Sequence, residues 1–214
     1  MTTALILGAA GGIGRAVSTA LQSSGTRVLG VCRDETRVKG IEAISADLSQ
    51  DHQVAEACLW AAREAGSIDV LVFAAGKMAH APLAEASGDF MQQLWADNVL
   101  SAHLACRHAA PLLAPEAHRI VMGAFVDKLN FAKLGPYASA KAALDAWARV
   151  LIREERSVKT TLLRLPAIDT PLWSHAPFPL PKGALSASSV AEEVLRCWSE
   201  AKTGVVDVGG PASA

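Results

Sequence analysis

Tyr137 and Lys141 stand four residues apart in the segment GPYASAKAAL, and Gly8, Gly11, Gly12 and Gly14 crowd the opening of the chain. Positions i and i+4 share one face of a helix, so the lysine ammonium can lie beneath the phenol. A neighbouring positive charge favours phenolate and draws a tyrosine pKa down from about 10. A phenol tuned in this way can pass a proton to and from an oxygen atom. Tyr-x-x-x-Lys by itself arises often by chance as a surface pair, so its weight depends on what surrounds it.

The glycines supply that context. Gly8, Gly12 and Gly14 follow the apolar run Thr3 to Leu7 and open a helical stretch from about Gly12 to Gln22. Without β-carbons the backbone turns tightly there, and the amides at the helix N-terminus can approach a pyrophosphate. A glycine cluster alone could be a plain turn; its place between a strand and a helix points to nucleotide binding.

The elements that would hold these residues alternate. Strands are expected at Thr3–Leu7, Arg27–Val31, Ala43–Ala46, Asp69–Ala74, Arg119–Met122, Lys159–Leu165 and Gly204–Val208. Between them lie helices near Gln50–Glu64, Ser87–Leu113 (one or two), Pro136–Glu154 and Ser188–Ala201. Val70-Leu71-Val72-Phe73 is apolar on both faces, the mark of a central parallel strand covered from two sides. The pattern predicts a Rossmann-like, doubly wound parallel sheet of α/β class, three layers deep, as one domain over residues 1–214. The irregular stretch of about 166–187, with five prolines, reads as a lid or substrate wall.

Composition narrows the function classes. The chain is 51% hydrophobic and 5% aromatic with a net charge of -1, so there is core material but no positive field to hold nucleic acid or an anionic membrane. No apolar run approaches the roughly 20 residues of a bilayer span. Cys32, Cys58, Cys106 and Cys197 form no C-x-x-C pair and read as reduced, packed thiols in a cytoplasmic protein, and no metal site is expected. His103 and His108 are five apart on a helix, a poor spacing for shared ligation.

Taken together, the motifs resemble the short-chain dehydrogenase/reductase family. Its Thr-Gly-x-x-x-Gly-Ile-Gly turn is matched at Gly8, Gly12, Ile13 and Gly14, with Leu7 in place of the threonine. Asp47-Leu48, Ala74-Ala75-Gly76, Asn98 and Tyr137-x-x-x-Lys141 follow in the family's order. The resemblance implies a nicotinamide dinucleotide bound by the glycine turn, Asp47, Leu48, Ala75, Gly76, Tyr137 and Lys141. It implies an acid/base role for Tyr137, support of that role and of the nicotinamide ribose by Lys141, and a place for Asn98 in the proton relay. The acidic position that ends the second strand in NAD-binding relatives holds Cys32, and Arg33 follows, which favours NADP(H) over NAD(H) because a guanidinium pairs well with a 2'-phosphate. Leu165 to Thr170 resembles the family's Pro-Gly stretch and its threonine with two departures, Ala167 at the glycine and Thr170 one residue earlier than usual, so Thr170 or the Ile168 amide is expected at the carboxamide.

One group is missing. The family serine that orients the substrate carbonyl falls thirteen residues before the tyrosine, where this chain has Ala124, and no Ser or Thr occurs from Val121 to Pro136. Loss of such a donor typically slows a reaction by about 100- to 1,000-fold. Either another donor such as Lys128 or Asn130 serves, or the substrate needs only Tyr137, or the domain binds nucleotide as a regulator or scaffold. Phe131, Trp173, His175, Phe178 and His80 are candidates for the wall of a small-molecule carbonyl or alcohol site, or simple loop packing. Ala140, Ala143, Trp147 and Val150 would form an outward helix face for a homodimer or homotetramer.

Overall fold

Strand β1 (Thr3–Leu7) is buried along its whole length. Its alternate side chains enter two different apolar layers, Leu5 and Leu7 in one, Ala4 and Ile6 in the other. That is the position of a central strand with helices above and below. In the computed structural model, which describes residues 2–209, the strands in chain order are β1, β2 (Arg27–Cys32), β3 (Glu42–Ser45), β4 (Ile68–Phe73), β5 (Leu113–Met122), β6 (Lys159–Arg164), β7 (Ile168–Asp169), β8 (Leu185–Ser186) and β9 (Gly204–Asp207). Seven of them form a parallel sheet in the order β3-β2-β1-β4-β5-β6-β9.

The helices are α1 (Gly12–Ser23), α2 (Asp51–Ala65), α3 (Gly88–Trp95), α4 (Ser101–Ala109), α5 (Gly135–Glu154) and α6 (Ala187–Ser199). Val17 and Leu21 of α1 and Val190 and Val194 of α6 cover one face of the sheet. Val54 and Ala57 of α2, Ala102 and Ala105 of α4, and Leu144 and Ala148 of α5 cover the other. Each fully buried leucine or valine there contributes about 1.5–3 kcal/mol, and the small alanines let the helices sit close to the strands. The three-layer, doubly wound sheet expected from the alternation of elements is the fold observed. Among the described residues no helix is long and apolar enough to cross a membrane.

Three boundaries differ from the sequence expectation. Strand β5 begins at Leu113 instead of Arg119, because the chain joins β4 at Ile68↔Leu113, bulges, and resumes at Val70↔His118. Pro115 falls in that irregular stretch, where a missing donor is tolerated. The expected one or two helices of Ser87–Leu113 are α3 and α4 joined by a π turn over Ala96–Leu100. The 166–187 segment is also less irregular than its prolines suggest. Within it β7 and β8 pair at Ile168↔Leu185, and the Leu185 amide donates to the Ala167 carbonyl at 2.9 Å.

Strand β5 buries two polar side chains. His118 Nε2 lies 2.7 Å from Thr161 Oγ1 on β6, and the Thr161 hydroxyl donates to the Lys202 carbonyl, so the histidine must donate to the threonine. Burial pushes the His118 pKa down to about 4. The Arg119 guanidinium reaches Glu155 at 2.6 Å from a fully buried position. Below the ordinary histidine pKa the unfolded chain takes up a proton at this residue that the folded chain refuses. Stability is therefore expected to fall as pH drops from about 6.5 to about 4, by about 3 kcal/mol from His118 alone. Denaturant titrations of wild type and His118→Leu across that window check this: the variant should lose most of that acid slope.

Candidate active site

Strands β1 and β4 are neighbours, yet the chain leaves β1 toward β2 and β3 on one side and leaves β4 toward β5 and β6 on the other. At such a switch point the connections part and open a crevice beyond the carboxyl ends of the strands. Here the crevice is a cavity of about 190 Å³ whose lining includes Gly8, Arg33, Asp47, Ala75, Gly76 and Asp97. Gly8 has φ +96°, and a β-carbon on it would come within 2.6 Å of the Ala75 amide nitrogen. Only glycine lets the two turns touch. Helix α1 starts at Gly11 with no side-chain cap, so its first amides are free to meet an anion.

The catalytic candidates come from two helices. In α5, Pro136 in the first turn favours helix initiation, and Tyr137 and Lys141 both lie on the buried face at 5% and 7% exposure. Lys141 Nζ sits 5.9 Å from the centre of the Tyr137 ring. Asn98 is fully buried within the π turn, the kind of local irregularity that re-aims side chains at sites. Its Nδ2 donates to the carbonyls of Leu94 and Lys77, each at 2.9 Å, and its Oδ1 accepts from the Lys77 amide at 3.3 Å. Asn98 and Lys141 meet at Gly76. A β-carbon there would lie 2.9 Å from Asn98 Oδ1 and 3.4 Å from Lys141 Nζ.

Electrostatics in this pocket differ from the sequence expectation. Burial pushes the Tyr137 phenol up, not down, and lowers Lys141 to about 8. In both cases the loss of water around the charged form outweighs the attraction between ammonium and phenolate. The pair is therefore a proton donor and a weakly held ammonium.

Other expected residues take varied positions. Ile13 is half-buried against the sheet, and Leu48 is buried. Arg33 is exposed at the cleft, beside buried Cys32. One carboxylate oxygen of Asp47 accepts from the Ser49 amide at 2.9 Å and hydroxyl at 2.8 Å, so it closes the turn before α2. Ile168 is buried in β7, and the Thr170 side chain packs where a Gly12 β-carbon would be, at 2.7 Å. Ala124 is buried. Neither suggested substitute donor points inward: Lys128 lies over the Phe125 ring at 4.9 Å, and Asn130 donates to the Asp127 carbonyl at 3.1 Å. His103 packs edge-on against Trp147, and His108 pairs with Asp51 at 2.8 Å. Of the expected outward α5 face, Ala140 is in fact buried and Ala143 and Trp147 half-buried against the core; Val150 is 52% exposed.

Two features escaped the sequence reading. Arg37 lines the same cleft as Arg33, and the helical spacing of 33 and 37 was the available hint. Lys77 and Asp97, also in the lining, pair at 3.7 Å; nothing in their separation along the chain signals that contact.

The short chain dehydrogenase family model matches residues 2–177, and the chain belongs to the short-chain dehydrogenase/reductase family. L-fucose dehydrogenase of Oryctolagus cuniculus is 26% identical over 217 residues, covering 95% of this chain and 76% of that protein. The cyclic-di-GMP-binding biofilm dispersal mediator protein of Escherichia coli is 28% identical over 175 residues, covering 78% and 73%. A solved short chain dehydrogenase/reductase from Saccharomyces cerevisiae superposes with a TM-score of 0.88 at 22% identity, covering 99% of this chain and 98% of that one. The family binds nicotinamide dinucleotides, and the cradle suits such a group: two backbones meet at Gly8, uncapped amides open α1, and Arg33 and Arg37 line the same cavity.

Two outcomes follow from this geometry. Lys141→Met removes a buried charge at similar volume and should raise stability by about 1–3 kcal/mol at pH 7. The gain should shrink from pH 8 upward, since the folded wild type sheds that proton before the unfolded chain does; guanidinium titrations at both pH values read it. Gly76→Ala, with its new methyl against Asn98, should lower stability by about 1–3 kcal/mol.

Proposed function

We propose that the protein is an NADP-preferring oxidoreductase that interconverts a carbonyl and an alcohol on a small molecule. The meeting of Lys141 and Asn98 at Gly76, with the Tyr137 ring 5.9 Å from the same ammonium, carries this reading. Tyr137 Oη gives its proton to the substrate oxygen in reduction and recovers it in oxidation. The bound dinucleotide supplies or accepts the hydride. Lys141, a few ångströms away, offsets the charge left on the phenol and faces the nicotinamide ribose. Asn98 acts by position: both ends of its amide hold the Lys77 backbone, which fixes the floor of the cleft.

The preference for NADP rests on Arg33, on Cys32 in place of an acid, and on Arg37 in the same cleft. Gly8, Gly12, Ile13 and Gly14 cradle the pyrophosphate, Asp47 and Leu48 bound the adenine, Ala75 and Gly76 form the floor, and Ile168 and Thr170 close over the carboxamide, with residues of about 166–187 as the substrate wall. The reading includes a cytoplasmic homodimer or homotetramer with Trp147 and Val150 in the contact. With Ala124 in place of a hydroxyl, the substrate oxygen relies on Tyr137 alone, which favours carbonyls that are already electrophilic.

A second reading, a non-catalytic nucleotide-binding regulator or scaffold, is favoured by Ala124 and by the name of the Escherichia coli relative. Fluorescence titration with NADPH and NADH, followed by a screen of aldehydes, ketones, diketones and quinones, separates the two. Under the enzyme reading Tyr137→Phe keeps NADPH binding and loses at least about 100-fold in turnover. Arg33→Ala lowers the preference for NADPH over NADH by about tenfold or more. Ala124→Ser speeds simple ketones by about tenfold or more. Tight NADPH binding with no Tyr137-dependent turnover across the screen favours the regulator.

A further inference from the structure

We propose that the substrate presented to Tyr137 is an apolar aldehyde or ketone with an aromatic or branched hydrocarbon body, not a sugar or other polyol. This rests on the reading of Tyr137 as the acid/base and adds to it the chemistry of the side chains packed around that residue.

Three segments surround Tyr137, and each presents hydrocarbon. Met78 comes from the connection after β4, Leu134 from the connection before α5, and Leu94 from α3, all buried in one cluster with Tyr137. Leu172, Ala176 and Phe178, from the segment between β7 and β8, pack against that cluster. At its rim the Phe131 and Phe178 rings lie 4.8 Å apart and Trp173 and Phe178 5.8 Å apart. Phe131 is 52% exposed, and it bridges loops from two sides of the site. An exposed aromatic continuous with a buried apolar cluster is a surface that gains by being covered.

Three polar side chains near the cluster are turned to their own backbone. Ser174 donates to the Pro171 carbonyl at 2.8 Å, Ser139 to the Pro136 carbonyl at 2.8 Å, and Asn130 to the Asp127 carbonyl at 3.1 Å. Lys128 lies over Phe125, and His80 and His175 are exposed. Ala124 carries the same character into β5's end, with a methyl where the family has a hydroxyl. A sugar entering this space would leave its water and find few donors or acceptors in return, and each unreplaced hydrogen bond weakens binding. A hydrocarbon body loses nothing polar there.

The test uses the whole protein with NADP(H) and two probe sets: 4-phenylbutan-2-one with 4-phenylbutan-2-ol, and L-fucose with D-glucose. The phenylbutane pair should be turned over with kcat/KM at least about a hundredfold above either hexose. Phe131→Ser, an exposed position, and Phe178→Ser should each raise KM for the phenylbutane probes about tenfold, with kcat and the KM for NADPH little changed. Hexoses used as well as the phenylbutane pair, or a KM indifferent to both substitutions, overturns the proposal. Should no probe react, the reductase reading fails separately, and calorimetric titration of 4-phenylbutan-2-one into the NADPH-saturated protein decides the wall: binding that Phe131→Ser weakens supports it, and absence of binding overturns it.

Discussion

Two backbones touching where no side chain intervenes is the constraint on which this site depends. Gly8 follows β1 and Gly76 follows β4, and the fold brings the turn of the first against Ala74-Ala75 just before the second. The contact narrows the switch-point crevice to a groove with backbone on both walls. On its deeper side the same absence of a β-carbon, now at Gly76, admits Asn98 and Lys141. Cleft and catalytic candidates are thus coupled through three consecutive residues, Ala74 to Gly76, and a methyl at either glycine displaces backbone or the Asn98 amide.

The second organising force is burial. Lys141 and Tyr137 lie in an apolar cluster that penalises both charged forms, so the lysine is lowered to about 8 and the phenol is raised. A lysine held this way weakens the fold at neutral pH, and nothing in the packing of α5 needs its charge. A destabilising ammonium beside a buried phenol makes the pair a candidate for chemistry. The Asn98 amide has the opposite economy: buried fully, it satisfies both its ends on Leu94 and Lys77, and so adds rigidity without an unpaired group.

Much of this was legible in the residues. Doubly apolar runs such as Val70 to Phe73 report a central strand because both faces must be covered, and the glycine spacing reports a tight turn because no other residue fits it. The i, i+4 spacing of Tyr137 and Lys141 marked two residues that lie on one buried helix face. What stayed hidden was of two kinds. Local irregularities carry no periodicity: the π turn under Asn98 adds one residue to a helix, and the early start of β5 at Leu113 hangs on a bulge. Long-range balances are hidden as well, since the spacing of Tyr137 and Lys141 says they are neighbours but not how dry their surroundings are. The same applies to Ala140, whose outward or inward aspect depends on where α5 rolls against the sheet.

Dryness also bears on Ala124. A serine hydroxyl in an apolar pocket is useful only if its lone pairs and proton are held when substrate is away, and Asn130, Ser139 and Ser174 on the segments around Tyr137 are already bonded locally. A methyl at Ala124 therefore removes a polar group whose solitary burial would weaken the fold by about 1–3 kcal/mol. It also removes a donor that would help a weakly electrophilic carbonyl. The two effects act in opposite directions on stability and rate, and their balance favours alanine when the carbonyl reaching Tyr137 is reactive enough to be held by one hydrogen bond. Under the proposed reductase reading, the apolar wall and the missing hydroxyl are one adaptation: a site that binds by surface and leaves the proton to a single phenol.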